Sequence, residues 1–265
     1  MTIDQLLDAL WRDYVAITPR AQRIHALLAG RGETIRNDHI ALRSYALPGV
    51  DQWALARPFE RLGWQVKDSY DFPDKHLNAH YWQHADPGLP KVFISELLVD
   101  ELPATVQEVI RGLHAQVPAG FGERPDLPWA GRPWLLERGT YQTLLEVSEY
   151  AAWVAAFGFR VNHFTVDVGG LRTFAGLEEL NRFLVESGFV LNDVGGAIKG
   201  NPAQYLEQSS TRADEIDVAF ADGGARVPSC YYEFARRYPL PSGELFQGFV
   251  PTSADKLFHS TDVRR

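Results

Sequence analysis

Apolar positions in the first thirty residues recur every three or four places, at Leu6, Leu7, Leu10, Tyr14 and Val15. This is the spacing of one helix face, and the run AQRIHALLAGRG then stops on glycines. The period then changes. RNDHIALRSY, residues 36–45, alternates like a strand, so His39, Ala41 and Arg43 share one face and Ile40, Leu42 and Ser44 the other. PGVDQWALARPFERLGW returns to helical spacing, with Trp53, Leu55, Ala56, Phe59 and Leu62 expected inward and Gly63 as the stop. QVKDSYDF, AHYWQHA and KVFISELLV read as three further strands.

The same order recurs. RVNHFTVDVGG, residues 160–170, is a strand with a histidine near its start, and LEELNRFLVESGF is the helix after it. His39 precedes Phe59 by 20 residues, and His163 precedes Phe183 by 20. VLNDVGG, ADEIDVAFADG and SCYYEFARRY then read as strands. The pattern predicts an α+β fold of two βαβββ units enclosing a shared cavity, each opening on a histidine-bearing strand. The expected divisions of a single domain, 1–265, are N-terminal helices over 1–34, a first unit over 35–100, a helical insertion over 101–158, and a second unit with its tail over 159–265. Two helices are expected in the insertion, in ATVQEVIRGLHAQV and QTLLEVSEYAAWVAAF, around a Pro/Gly/Trp-rich loop.

Composition narrows the function classes. The net charge of −8 argues against nucleic acid or an anionic membrane as the main partner. Cys230 is the only cysteine, so no intramolecular disulfide forms. MTIDQLLDALWRDY lacks the basic and apolar regions of a signal peptide, and no apolar run approaches the ~20 residues of a membrane helix. These features predict a cytoplasmic protein, and they are compatible with a homodimer.

Two histidines at matching places in a repeat are metal-ligand candidates. FISEL and YYEFA place a glutamate on the last strand of each unit, Glu96 and Glu233. Glu233 lies among aromatics, where a carboxylate is costly unless paired or bound to a metal. Two histidines and a carboxylate facing a cavity leave coordination sites open, as in non-haem Fe(II) oxygenases. Arg43 lies two pleats along the strand from His39 on the same face, ~13 Å away, placed to hold a substrate carboxylate as a bidentate pair. Ser209, Ser210 and Thr211 offer hydroxyls to a substrate carboxylate, although such clusters also form turns. Glu96 and His80 are expected to support the ligands from behind. His76, His80 and His84 fall at helical ligand spacing, but their segment alternates as a strand and predicts no metal site. Neither GxSxG, a P-loop nor HExxH occurs.

Taken together, NDHIALRSY, VNHFTVDV, QSSTRADEIDVAFADG, SCYYEFARRY and the tail GFVPTSADKLFHST resemble the 2-oxoadipate dioxygenase/decarboxylase family, from about residue 35 to 261. The resemblance implies a fold related to the vicinal-oxygen-chelate proteins. It also implies Fe(II) held by His39, His163 and Glu233, with Arg43 on the substrate carboxylate. The activity it implies is an intramolecular oxidation that converts 2-oxoadipate and O₂ to 2-hydroxyglutarate and CO₂ in lysine breakdown. Two other classes fit the residues alone. One is a Zn²⁺- or Ni²⁺-dependent lyase or isomerase on a small carboxylic acid, with Glu96 as a fourth ligand or base. The other is a non-catalytic binder of small acids.

Overall fold

The structure, a computed structural model, describes residues 1–251; the tail quoted above from residue 252 onward lies outside the described residues. Helices α1 (Ile3–Ile17) and α2 (Pro19–Gly30) open the chain. Thr2 and Gln5 close a capping box on α1, and Pro19, which lacks an N–H to leave unsatisfied, starts α2. The first unit follows as β1 (Asn37–Tyr45), α3 (Gln52–Glu60), β2 (Gln65–Phe72), β3 (Leu77–Gln83) and β4 (Lys91–Leu97). Asp51 caps α3 through the Ala54 amide. Gly63 ends the following turn at φ +106, and a Cβ there would lie 2.8 Å from the His84 ring. Trp53, expected inward, is instead 45% exposed, although its ring lies against His80 and Trp82 of β3.

The insertion holds α4 (Ala104–His114), α5 (Arg138–Val147) and α6 (Glu149–Phe157). Sequence spacing joins the last two into one helix. The chain breaks at Ser148, which is extended and caps α6 by accepting from the Ala151 amide. Tyr150 through Phe157 are all buried, so α6 is a core helix with no solvent face.

The second unit is β5 (Val161–Asp167), α7 (Leu177–Glu186), β6 (Lys199–Asn201), β7 (Leu206–Ser210), β8 (Glu215–Phe220), β9 (Gly223–Pro228) and β10 (Glu233–Arg237). Here the strand expectations need correction. VLNDVGG contributes only an isolated bridge, Leu191 to Thr211, and ADEIDVAFADG forms β8, which pairs with β9 in a hairpin outside the main sheet. The sheet strands are β6, KGN, and β7, LEQSS, whose Gly, Asn and Ser content has the composition of a turn. Long-range pairing with β10 overrides that local preference.

One eight-stranded sheet, ordered β2-β3-β4-β1-β5-β10-β7-β6, curls into a half-barrel with β1 and β5 side by side at its centre. No helix among the described residues is long and apolar enough to cross a membrane.

Candidate metal centre

Two β-bulges build the centre. In the antiparallel β1–β5 pair, His39 faces Thr165 and Ala41 faces His163. Exchanging the strands maps one pair onto the other, so His39 is equivalent to His163. The register slips at Asp38 in β1 and at Asn162 in β5, again equivalent positions. A bulge frees the extra residue from strict alternation and re-aims its side chain. Asp38 Oδ1 thereby reaches His39 Nδ1 at 2.8 Å, and Asn162 Oδ1 reaches His163 Nδ1 at 3.0 Å. Each oxygen accepts from an Nδ1–H, which turns both Nε2 atoms toward the cavity.

The third donor comes from β10, which runs parallel to β5 with Glu233 level with Thr165. Glu233 is completely buried. Gln208 Nε2 donates to its Oε1 at 2.7 Å, while Oε2 is buried with no hydrogen-bond partner. His39 Nε2 lies 3.5 Å from Oε1, and His163 Nε2 lies 3.3 Å from Oε2. One ligand atom from each of His39, His163 and Glu233 falls within 4.8 Å of the others. The Thr165 hydroxyl also reaches His39 Nε2, at 3.1 Å. Burial, reinforced by the neighbouring His39 and Arg43, holds His163 well below the usual imidazole range, so the ring is neutral. Burial raises the Glu233 carboxyl against the opposing pull of His39 and Gln208. Two imidazole nitrogens and a carboxylate oxygen without a donor form a set that fits a divalent transition metal.

Arg43 lines the same cavity, with Phe93, Ser95, Tyr231 and Phe249. It is 1% exposed, donates from Nη1 to Glu149 Oε1 at 2.9 Å, and lies over the rings of Tyr150 and Trp153 at 4.9 and 5.3 Å. Burial works against its charge, but Glu149 and the neighbouring tyrosines keep the guanidinium protonated. The Tyr231 ring stacks on His163 at 4.6 Å, and Phe249 meets His39 edge-on at 4.9 Å.

The structure does not bring all the expected residues to this cavity. The position equivalent to Glu233 is Phe93, because Ala41 faces Phe93 as Thr165 faces Glu233. Glu96 is three residues further on, an odd offset that turns it to the opposite face of the sheet. There it accepts from the Gln52 backbone and side-chain amides, both at 2.9 Å, and His80 joins the same cluster through Gln52 Oε1. Neither lines the cavity. Ser209 donates to Asn181 on α7, and Thr211 accepts from the Tyr232 amide. Ser210 is the cross-strand neighbour of Glu233, yet of this strand only Gln208 lines the cavity. Asp38, Asn162, Gln208 and Glu149 were not anticipated as site residues. Asp38 and Asn162 had a legible signal, a side-chain oxygen immediately before each repeated histidine; Glu149 had none.

Comparison with known proteins agrees with this geometry. The family model described as 2-oxoadipate dioxygenase/decarboxylase matches residues 129–247. An Arabidopsis thaliana protein named 2-oxoadipate dioxygenase/decarboxylase, chloroplastic, is 36% identical over 84% of this chain and 67% of its own length. The solved structure of hydroxyglutarate synthase from Oryza sativa in complex with 2-oxoadipate is 31% identical, with a TM-score of 0.93 over 98% of this chain and 91% of that one. A Shewanella frigidimarina structure described as a hydrolase is 49% identical, with a TM-score of 0.90 over 94% and 97% of the two chains. A Ralstonia eutropha protein of the glyoxalase superfamily, 21% identical with a TM-score of 0.79 over 92% and 84%, shares the fold. Sequence identity over most of the chain and the superposable sheet therefore lead to one conclusion: the chain belongs to the 2-oxoadipate dioxygenase/decarboxylase family.

Proposed function

We propose that this chain is an Fe(II)-dependent dioxygenase that decarboxylates a 2-oxo dicarboxylic acid, converting 2-oxoadipate and O₂ to 2-hydroxyglutarate and CO₂ in lysine breakdown. The observation that carries this reading is a buried His39–His163–Glu233 set with a buried guanidinium on the same cavity wall. His39, His163 and Glu233 would hold the metal. Bound Fe(II) supplies a chelation site for the 2-oxo acid and the electrons for O₂ chemistry. Arg43 holds one carboxylate of the substrate by charge-assisted hydrogen bonds. Gln208 fixes the Glu233 carboxylate, and Asp38 and Asn162 fix the imidazoles, so no ligand must reorganise during turnover. Phe93, Tyr231 and Phe249 exclude water from the reacting end of the substrate. Both oxygen atoms of O₂ are accounted for in the products, so no external reductant is needed. The acidic surface and single cysteine fit a cytoplasmic location.

The test is protein purified anaerobically and loaded with Fe(II), assayed in an oxygen electrode with 2-oxoadipate. One O₂ should disappear per CO₂ released, without added 2-oxoglutarate. Turnover under strict anaerobiosis, or equal turnover with Zn²⁺, overturns the reading and favours a Lewis-acid lyase.

A further inference from the structure

Arg237 lies four residues beyond Glu233 on β10, on the same face of the strand. Its Nε and Nη2 donate to the two oxygens of Asp38 at 2.6 and 2.9 Å, and the pair is almost wholly buried. Burial alone would raise the Asp38 carboxyl; the guanidinium and His39 overcome this and hold it well below the usual carboxylate range. The third nitrogen, Nη1, donates to two backbone carbonyls, Phe246 at 3.0 Å and Gly248 at 2.7 Å. The next residue, Phe249, lines the cavity and caps His39 with its ring edge. Its own amide donates to the Tyr70 hydroxyl at 3.0 Å.

The repeat supplies an internal control. The register that equates Glu233 with Phe93 equates Arg237 with Leu97, and Asp38 with Asn162. The histidine with a charged partner has an arginine behind that partner, and the histidine with a neutral partner has a leucine. The guanidinium is thus specific to the side of the centre over which the 246–249 segment closes.

We propose that Arg237 is a positioning residue that couples closure of the cavity to the metal ligands: one guanidinium holds Asp38 against His39 and, through Nη1, holds the backbone that seats Phe249 over His39. A planar fork is needed, because a lysine ammonium cannot bridge a carboxylate bidentately and reach two carbonyls as well. The inference rests on the metal reading above.

The experiment follows Co(II) binding by its visible spectrum and hydrogen exchange at the Phe249 amide in the full chain, for wild type, Arg237→Lys, Arg237→Gln and the isosteric Asp38→Asn. Arg237→Lys and Asp38→Asn should each weaken Co(II) roughly 10- to 100-fold, the usual effect of losing a group that orients a histidine ligand. Co(II) should slow Phe249 exchange in wild type and leave it unchanged in Arg237→Lys and Asp38→Asn, a metal-dependent difference that a merely structural residue would not produce. Without metal, Arg237→Gln should exchange Phe249 faster than wild type, whereas Asp38→Asn should not, because Nη1 still holds its carbonyls. If Arg237→Gln does not fold, the other two variants decide the question. Co(II) binding in Arg237→Lys equal to wild type, or wild-type Phe249 exchange indifferent to Co(II), overturns the proposal alone. A wild type that takes up no Co(II) overturns the metal reading together with it.

Discussion

Arg43 Nη1 lies 2.9 Å from Glu149 Oε1, across 106 residues of chain and inside the cavity wall. The insertion between the two units therefore supplies the counter-charge for a guanidinium that lines the cavity. Breaking a buried pair from one side leaves the other charge in a dry site. Glu149→Gln should lower unfolding free energy by about 3 kcal/mol, and a dicarboxylate ligand should recover part of it by replacing the lost carboxylate. Denaturant titrations with and without 2-oxoadipate check this; a loss below about 1 kcal/mol, within the range of an exposed pair, rejects it.

Arg43→Lys and Arg43→Ala should both retain metal, because Arg43 is not a ligand. Both should lose roughly 30- to several-thousand-fold in kcat/KM on 2-oxoadipate, which corresponds to about 2–5 kcal/mol for a desolvated charged pair. A 2-oxo acid of similar length without the distal carboxylate identifies the end that is held. If wild type and Arg43→Ala discriminate equally against that analogue, Arg43 does not hold the distal carboxylate.

His39→Ala, His163→Ala and Glu233→Ala should each lose most bound metal while staying folded. Gln208→Leu should keep the ligands but weaken metal roughly 10- to 100-fold by releasing Glu233 Oε1. Glu96→Ala should bind metal normally and lose about 1–3 kcal/mol of stability, since it leaves buried Gln52 donors unmet. Metal analysis after dialysis separates the two glutamates, and equal retention by Glu96→Ala and Glu233→Ala would remove the assignment.

Lys91 is level with His39 on β4 and nearly buried, and burial lowers its ammonium to about 8 from the ordinary 10.5, with Arg237 adding to the shift. The unfolded chain therefore holds this proton more tightly than the folded one. The destabilisation is complete below pH 8 and disappears as pH rises through 10.5, so this contribution to stability increases over that window. Lys91→Met should be more stable than wild type at pH 7 by up to about 3 kcal/mol in this pH-dependent part, with the difference shrinking towards pH 10.5. A difference that stays flat from pH 7 to 10.5 contradicts the assignment.

Local pattern alone determined much of this protein. Period-two alternation marked β1 and β5, and the equal spacing from His39 to Phe59 and from His163 to Phe183 exposed the repeat that puts both histidines at the centre of one sheet. Those features are legible because they depend on nearest neighbours and on a pattern used twice. The choice between Glu96 and Glu233 was not, because it depends on cross-strand register, where a shift of one residue turns a side chain to the other face. The bulges at Asp38 and Asn162 interrupt alternation without any glycine to announce them. β6 and β7 carry turn-like residues and become strands only through pairing that ends on β10. Glu149 and Arg237 reach the centre from 106 and 199 residues away from their partners, and only the folded chain decides which buried charge meets which.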